Sequence, residues 1–200
     1  LDDAELIIAA TNMSFAAAGH GPVTAQQYRT MFTRPLHLFY GRLLDRTVTA
    51  QEAKDLDAAF HSEYAGLVAG AGLRKHAIEV LDQARQRGLG QSLLSMWPHE
   101  FLVPLVDQLG IASTFVRIDG NRSAGAAGKA DALHSHLDAL QLAAESVAMI
   151  GDSRDDGAAA RAAGCRCVLI DSGHTTAAEL EDTGWPVAVD LLDALRLATR

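Results

Sequence analysis

The spacing of apolar positions changes after the first third of the chain. Residues 4–18 are rich in helix-forming side chains and contain neither glycine nor proline, which predicts a helix. Thr24 is placed to cap a second helix, and Thr49 with Glu52 has the spacing of a capping box for a third. No stretch of residues 4–68 has the character of a strand. This first block is therefore predicted to be helical.

Short apolar runs then alternate with helical segments up to the end of the chain. Such alternation is typical of βαβ units and predicts a parallel sheet covered by helices. The sequence thus indicates an α/β core that is interrupted near its start by a helical insert. The predicted strands are Gln91–Ser95, Thr114–Ile118, Val147–Ile150, Cys167–Ile170 and Val187–Val189.

Composition excludes several classes of protein. The 200 residues include 25 acidic and 17 basic side chains, a net charge of −8 that argues against a nucleic-acid binder. No apolar run approaches the roughly 18 residues of a membrane-spanning helix, so no membrane partner is predicted. Cys165 and Cys167 are too close together to staple a fold. With no secretory signal at the start, free thiols favour a cytoplasmic location.

The strongest candidate for chemistry is the segment that follows the apolar run 147–150. Asp152 comes at the predicted strand end, and Asp156 falls in the first turn of the next helix. Two carboxylates placed in this way can converge on a hard cation such as Mg²⁺. The alternative is that Ser153 and Asp156 form an ordinary helix-capping box. That alternative accounts for neither Asp152 nor the further acid at Asp155.

Two other strand ends carry candidate phosphate-binding groups. Ser95 closes a predicted strand, and its hydroxyl with the backbone amide of Met96 could hold a phosphate oxygen, although a lone serine there is more often a helix cap. Lys129 follows a loop of small residues. The chain has 14 arginines and only three lysines, so a lysine at this place favours a need for a compact point charge. The alternative is a solvated lysine at a helix start, where the helix dipole is unfavourable for a cation.

Taken in order, these residues resemble three motifs of the haloacid dehalogenase superfamily of hydrolases. Ser95, Lys129 and the run Gly151-Asp152-Ser153-x-x-Asp156 match its second, third and fourth motifs, and the likeness is greatest to the phosphoglycolate-phosphatase-like branch. The resemblance implies a three-layer, Rossmann-like parallel sheet core. It also implies an inserted α-helical cap over residues 4–69, with residues 1–3 and 70–200 forming the core.

The resemblance further implies Mg²⁺-dependent hydrolysis of a small phosphorylated metabolite through an aspartyl-phosphate intermediate. Ser95, Met96 and Lys129 would bind the phosphoryl group, and Lys129 would also offset the charge of the nucleophile. Asp152 and Asp156 are predicted as the metal site, with Asp152 as the direct ligand. Ser95, Lys129 and Asp152 are the predicted catalytic residues.

The first motif of that superfamily, a strand followed by D-x-D-G-T, is absent from the sequence. Leu1-Asp2-Asp3 is similar to what comes directly after that motif, so the nucleophile and its strand are expected upstream of Leu1. That strand would lie between the strands that end near Ser95 and Gly151.

Two alternatives to a phosphatase stay open at this point. One is a non-catalytic relative that binds phosphate or a partner through the same cleft, and the other is a dehalogenase that attacks carbon. The dehalogenase is the less favoured, because the acids at Asp152 and Asp156 indicate a cation that such an enzyme does not need. The physiological substrate and the oligomeric state cannot be predicted from this sequence.

Overall fold

The computed structural model describes residues 1–33, 35–122, 128–171 and 175–200. The chain forms two compact units. A helical unit comprises Leu1–Gly72, together with Thr175 and Thr176. An α/β unit comprises Leu73–Asp171 and Ala177–Arg200. The assignment of residues 4–69 to a cap, and of residues 1–3 and 70–200 to a core, stays a prediction.

Four helices build the first unit: α1 (Ala4–Ala17), α2 (Ala25–Met31), α3 (Leu36–Leu44) and α4 (Ala50–Val68). Helices α1 and α4 pack along each other, and Phe15, Phe39 and Leu56 are among the buried side chains at the centre. The two ends of the unit meet where the Asp2 amide donates to the Gly72 carbonyl at 3.0 Å. None of the helices in the described ranges has the length and apolar character that a membrane crossing requires.

The second unit alternates strands and helices, as the sequence predicts. Its strands are β1 (Ser92–Pro98), β2 (Arg117–Asn121), β3 (Ala148–Gly151), β4 (Arg166–Ile170) and β5 (Val187–Ala188). Its helices are α5 (Ala77–Gln86), α6 (His99–Gln108), α7 (Lys129–Leu140), α8 (Arg154–Ala163), α9 (Ala177–Glu181) and α10 (Leu191–Ala198). All strand pairs are parallel, β1 with β2 and β3 with β4 and then β5.

Helices cover both faces of these strands. On one face, α7, α8 and α9 bury Cys167 and Leu169 of β4. On the other face, α10 covers Val168 of the same strand, while α6 covers Leu93 of β1. Adjacent side chains of a strand point to opposite faces, so the continuous apolar run of β4 is what a strand buried on both sides requires. The predicted three-layer α/β class is therefore confirmed.

The two sheets share a helix layer without sharing a strand edge. Leu94 of β1 and Met149 of β3 pack into the same apolar cluster beneath α7 and α8. In the described part of the chain, however, β1 pairs only with β2, and β3 pairs only with β4. Ile150 of β3, a large apolar side chain, is 37% exposed at the edge of this sheet. This is the place where the sequence predicts a further strand.

Three local predictions are wrong in detail. The sequence predicts a helix over Leu73–Arg87, but helix α5 begins only at Ala77, because the chain first turns through His76, whose φ is +67°. Strand β2 begins at Arg117, three residues later than predicted. At Thr49 only half of the capping box forms, since the Thr49 hydroxyl accepts the Glu52 amide while the Glu52 carboxylate binds Arg46 instead.

Gly120 of β2 offers a test of how closely the ends of β1 and β2 approach. A Cβ on Gly120 would lie 2.6 Å from His99 Cα and 2.7 Å from the Trp97 carbonyl oxygen. We expect Gly120→Ala to lower the free energy of unfolding by about 1–3 kcal/mol, because backbone atoms cannot yield as a flexible side chain can. Urea unfolding measures the loss.

Gly90→Ala is the matched control for this substitution. Gly90 precedes the same sheet, and a Cβ there would meet nothing within 4 Å. We expect this variant to be as stable as the wild type or slightly more stable, since alanine restricts the unfolded chain. Equal losses in the two variants would contradict the close approach at Gly120.

Candidate active site

The turn from β3 into α8 is built around a carboxylate that folds back over the strand end. Asp156 lies in the first turn of α8, yet its side chain reaches Gly151, the last residue of β3. A Cβ on Gly151 would come within 2.4 Å of Asp156 Cγ. Glycine is therefore required at position 151, because any side chain would push this carboxylate away.

Asp156 binds the turn through one of its two oxygens. Its Oδ2 accepts hydrogen bonds from the Asp152 amide at 3.0 Å, the Ser153 amide at 3.0 Å and the Ser153 hydroxyl at 2.7 Å. The Ser153 Oγ in turn accepts the Asp156 amide at 3.2 Å. The capping box that the sequence offers as an alternative thus forms, and it holds the backbone of Asp152 in place.

The other oxygen of Asp156 pairs with Lys129. The Lys129 ammonium contacts Asp156 Oδ1, although the two residues begin different helices, α7 and α8. The side chains are 19% and 2% exposed, so the pair is largely removed from water. A lysine at a helix start is unfavourable on its own, because the helix dipole repels it. The Asp156 carboxylate compensates for that repulsion, and a capping box alone does not account for this contact.

Lys129 also decides the protonation of Asp156. Burial by itself would raise the pKa of the Asp156 carboxyl, but the Lys129 ammonium and the hydrogen bonds from Ser153 and Asp152 outweigh burial and hold the pKa below its usual value. Asp156 is therefore ionised at neutral pH. Burial, with the nearby Asp156 charge, raises the pKa of Cys167 to about 12, so this thiol stays protonated.

Ser95 and Met96 lie inside β1, which continues to Pro98, and not at a strand end as predicted. Regular pairing stops here, since Leu94 is opposite Asp119 but Pro98 is opposite Asn121. In this irregular stretch Ser95 Oγ accepts the Trp97 amide at 3.1 Å, which leaves its own hydrogen available to another acceptor.

The structure brings Lys129 and Asp156 into contact, with the Asp152 amide bound to Asp156, whereas on the β1 side it is Leu94, the neighbour of Ser95, that packs nearby. Leu94 of β1 belongs to the same apolar cluster as Ala130, the neighbour of Lys129. Within the described ranges no hydrogen bond joins Ser95 to Lys129. Sequence reasoning did not find two contacts of this region, His136 Nδ1 with Asp119 Oδ2 at 2.7 Å and Trp185 with Gly157. No spacing rule connects residues so far apart in the chain.

The donor chemistry of this edge fits a hard divalent cation. Asp152 supplies carboxylate oxygen, and magnesium sites commonly use one or two carboxylates with waters and phosphate oxygens. Among the residues that the structure describes, no group of three or more His, Cys, Asp or Glu side chains converges as a complete metal cage. Both oxygens of Asp156 are engaged as described above, so its role as a second metal ligand stays a prediction.

Comparisons with known proteins agree with this α/β fold. A family model described as HAD-hydrolase-like matches residues 126–195. A phosphoglycolate phosphatase from Photobacterium profundum is 29% identical over 99% of this chain and 92% of its own length. One from Escherichia coli K12 is 30% identical over 86% of this chain and 68% of its own.

A solved structure shows the same architecture. The haloacid dehalogenase-like family hydrolase from Streptococcus pneumoniae superposes with a TM-score of 0.83 and is 23% identical, over 97% of this chain and 91% of that one. The chain belongs to the haloacid dehalogenase superfamily of hydrolases, in its phosphoglycolate-phosphatase-like branch. The family predicted from Ser95, Lys129 and the 151–156 motif is confirmed.

Asp156→Asn tests whether the pair with Lys129 holds this turn together. The substitution leaves a largely buried ammonium without its counter-charge, and we expect unfolding to become easier by about 3 kcal/mol at pH 7. Urea unfolding measures this loss. The exposed neighbour Asp155 provides the control, and Asp155→Asn should change stability by less than about 1 kcal/mol.

The loss should also depend on pH. Because the folded-state pKa of Asp156 is depressed, its stabilisation is present above the unfolded-state value near 3.9 and disappears as pH falls through the lower folded-state pKa. The gap between wild type and Asp156→Asn should therefore narrow below about pH 4. A gap that is constant from pH 7 to pH 3 would contradict an ionised, paired Asp156.

Proposed function

We propose that the protein is a divalent-metal-dependent phosphomonoester hydrolase. The observation that carries this proposal is the Lys129–Asp156 pair, which fastens the Asp152 segment at the carboxyl ends of the strands. Ligands of open α/β sheets bind at this edge. The curated relatives are named phosphoglycolate phosphatase, which supports the same reaction class.

Three groups of the α/β unit are suited to hold the transferred phosphoryl group. Lys129 supplies a compact positive charge, the Ser95 hydroxyl supplies a hydrogen for donation, and the Met96 amide supplies a second donor. Catalysis of phosphoryl transfer depends chiefly on positioning the reacting groups and on neutralising the charge of the phosphoryl oxygens. Rigid attachment of Lys129 to α8 would therefore contribute directly to the rate.

We propose Mg²⁺ as the cation and Asp152 as its direct ligand. When bound, the cation neutralises charge on the phosphoryl oxygens and helps to orient them. Asp156 would act mainly through its hydrogen bonds, by fixing the Asp152 backbone and the Lys129 ammonium. Its predicted place as a second ligand requires one of its oxygens to exchange a present partner for the cation.

The attacking group in this proposal is an aspartate on a strand between β1 and β3. Attack on phosphorus forms an aspartyl phosphate and releases the alcohol, which takes a proton from a second aspartate two residues further on. That second carboxylate then removes a proton from the water that hydrolyses the intermediate. In the described part of the chain β1 pairs only with β2 and β3 only with β4, and Ile150 of β3 is 37% exposed. Both observations support a strand in this place.

For the substrate, we propose a small phosphorylated metabolite. The names of the relatives make phosphoglycolate the first compound to test, because these proteins are similar to this chain over most of its length. The helical unit is proposed to act as a cap. The cytoplasmic location stays a prediction.

Asp152→Asn and Lys129→Met in the full-length protein test this function. We expect each to lower kcat/KM for an aryl phosphate by at least about 100-fold, since each removes a charge that faces the phosphoryl group. Wild-type activity should require added Mg²⁺. Steady-state hydrolysis with and without the metal gives the measurement, and circular dichroism checks folding.

Asp155 is exposed and lies three residues after Asp152, so Asp155→Asn is the control. This variant should keep nearly full activity. Unchanged hydrolysis in Asp152→Asn would contradict the proposed metal ligand. Absence of hydrolysis in the wild type, together with binding of inorganic phosphate, would favour the non-catalytic alternative.

A further inference from the structure

Trp185 packs directly on the first turn of α8. Its indole Nε1 donates a hydrogen bond to the Gly157 carbonyl at 2.9 Å. A Cβ on Gly157 would lie 2.8 Å from Trp185 Cδ1, so the ring occupies the space that a side chain would need. Gly157 directly follows Asp156, and the indole therefore touches the backbone of the turn that holds the candidate site.

The tryptophan is itself held from two sides. The Arg161 guanidinium lies 5.0 Å from the centroid of the Trp185 ring, and its Nη2 donates to the Thr183 carbonyl at 2.7 Å. The Trp185 amide donates to Thr183 Oγ1 at 3.3 Å. We refer to Gly157, Arg161, Thr183 and Trp185 as the tryptophan clamp. It joins the loop before β5 to two successive turns of α8.

The first turn of α8 has two exposed and two buried residues. Arg154 and Asp155 are exposed, whereas Asp156 and Gly157 are buried. Asp156 binds the strand end and Lys129, as described above. Gly157 contributes no side chain, and glycine inside a helix is less favourable than alanine by about 1 kcal/mol. A glycine here is therefore explained by the indole that covers it.

We propose that Trp185 is a positioning residue for the Asp152 segment, acting through Gly157 and Asp156. The indole limits movement of the first turn of α8 at Gly157, while Lys129 limits it at Asp156. Asp156 transmits this restraint to the amides of Asp152 and Ser153, which both donate to its Oδ2. The link to metal binding rests on the proposed function, whereas the restraint on these amides does not.

A contact that served only core packing would behave differently. It would change the free energy of unfolding without a selective effect on residues 152 and 153. Local opening of these amides in the native state, measured by hydrogen exchange, separates the two possibilities, because such opening need not follow global stability.

Trp185→Phe is the most conservative variant, since it keeps an aromatic ring and removes the Nε1 donor. In the metal-free protein, we expect the amides of Asp152 and Ser153 to exchange about 5- to 10-fold faster than in the wild type, the size of effect that loss of one hydrogen bond gives. Calorimetry with Mg²⁺ should show a dissociation constant about 10-fold higher, as is typical when a residue that orients a ligand is removed.

A double-mutant cycle tests the close contact itself. Gly157→Ala places a methyl group against the indole and should raise the exchange rates in the same way. Trp185→Leu removes the ring edge that this methyl group meets. We expect the amides of Asp152 and Ser153 to exchange no faster in the double variant Gly157→Ala/Trp185→Leu than in the more severe single variant. The reason is that the effects of substitutions at contacting residues are not additive. Full additivity would overturn the proposed contact.

Asp190→Ala is the matched control for stability. Asp190 caps α10 by accepting the Asp193 amide at 2.8 Å, and α10 packs on β4 without belonging to the clamp. Its loss should lower stability by about 1 kcal/mol and leave the exchange of residues 152 and 153 unchanged. If Trp185→Phe changes these amides no more than Asp190→Ala does, the positioning role is overturned.

The two measurements keep the two proposals separate. Faster exchange in Trp185→Phe supports the clamp whether or not metal binds. A wild-type protein that binds no Mg²⁺ under conditions where it is folded would overturn the metal site of the proposed function, and the exchange result would still decide the clamp.

Discussion

The buried ion pair between Lys129 and Asp156 is the contact on which the geometry of the strand ends depends. It joins the first residue of α7 to the first turn of α8. Withdrawing such charges from water costs several kcal/mol per ion unless each atom finds a partner. Here Oδ1 has the ammonium, and Oδ2 has two amides and a hydroxyl. The close fit of Asp156 against Gly151 follows from the same requirement.

This arrangement separates the roles of two neighbouring carboxylates. The charge of Asp156 is neutralised by Lys129, and its hydrogen bonds hold the turn together. Asp152 is held through its backbone amide, which donates to Asp156 Oδ2, and its side chain is the proposed metal ligand. A single short turn can thus provide both a rigid frame and an anionic ligand. Trp185 packs on Gly157 in the same turn, so the turn has a second tertiary contact beside the ion pair.

Much of the fold could be predicted because it depends on local pattern. Alternating strands and helices, the buried run of β4 and the capping residue Ser153 all follow from spacing along the chain. Two of the wrong predictions concern places where a contact beyond the local motif decides. The Glu52 carboxylate does not complete the capping box with Thr49, because it binds Arg46 instead. Strand β1 continues past Ser95 because β2 pairs again at Pro98.

The sequence by itself determined the class of fold, the family and the short list of Ser95, Lys129, Asp152 and Asp156, because residue type and spacing carry that information. Only the tertiary structure decided which of these side chains touch. It showed that both carboxylate oxygens of Asp156 bind Lys129 and the turn. It also revealed that Trp185 packs on Gly157. Contacts between residues 27 or more positions apart depend on how helices pack across a sheet, and no local spacing encodes that.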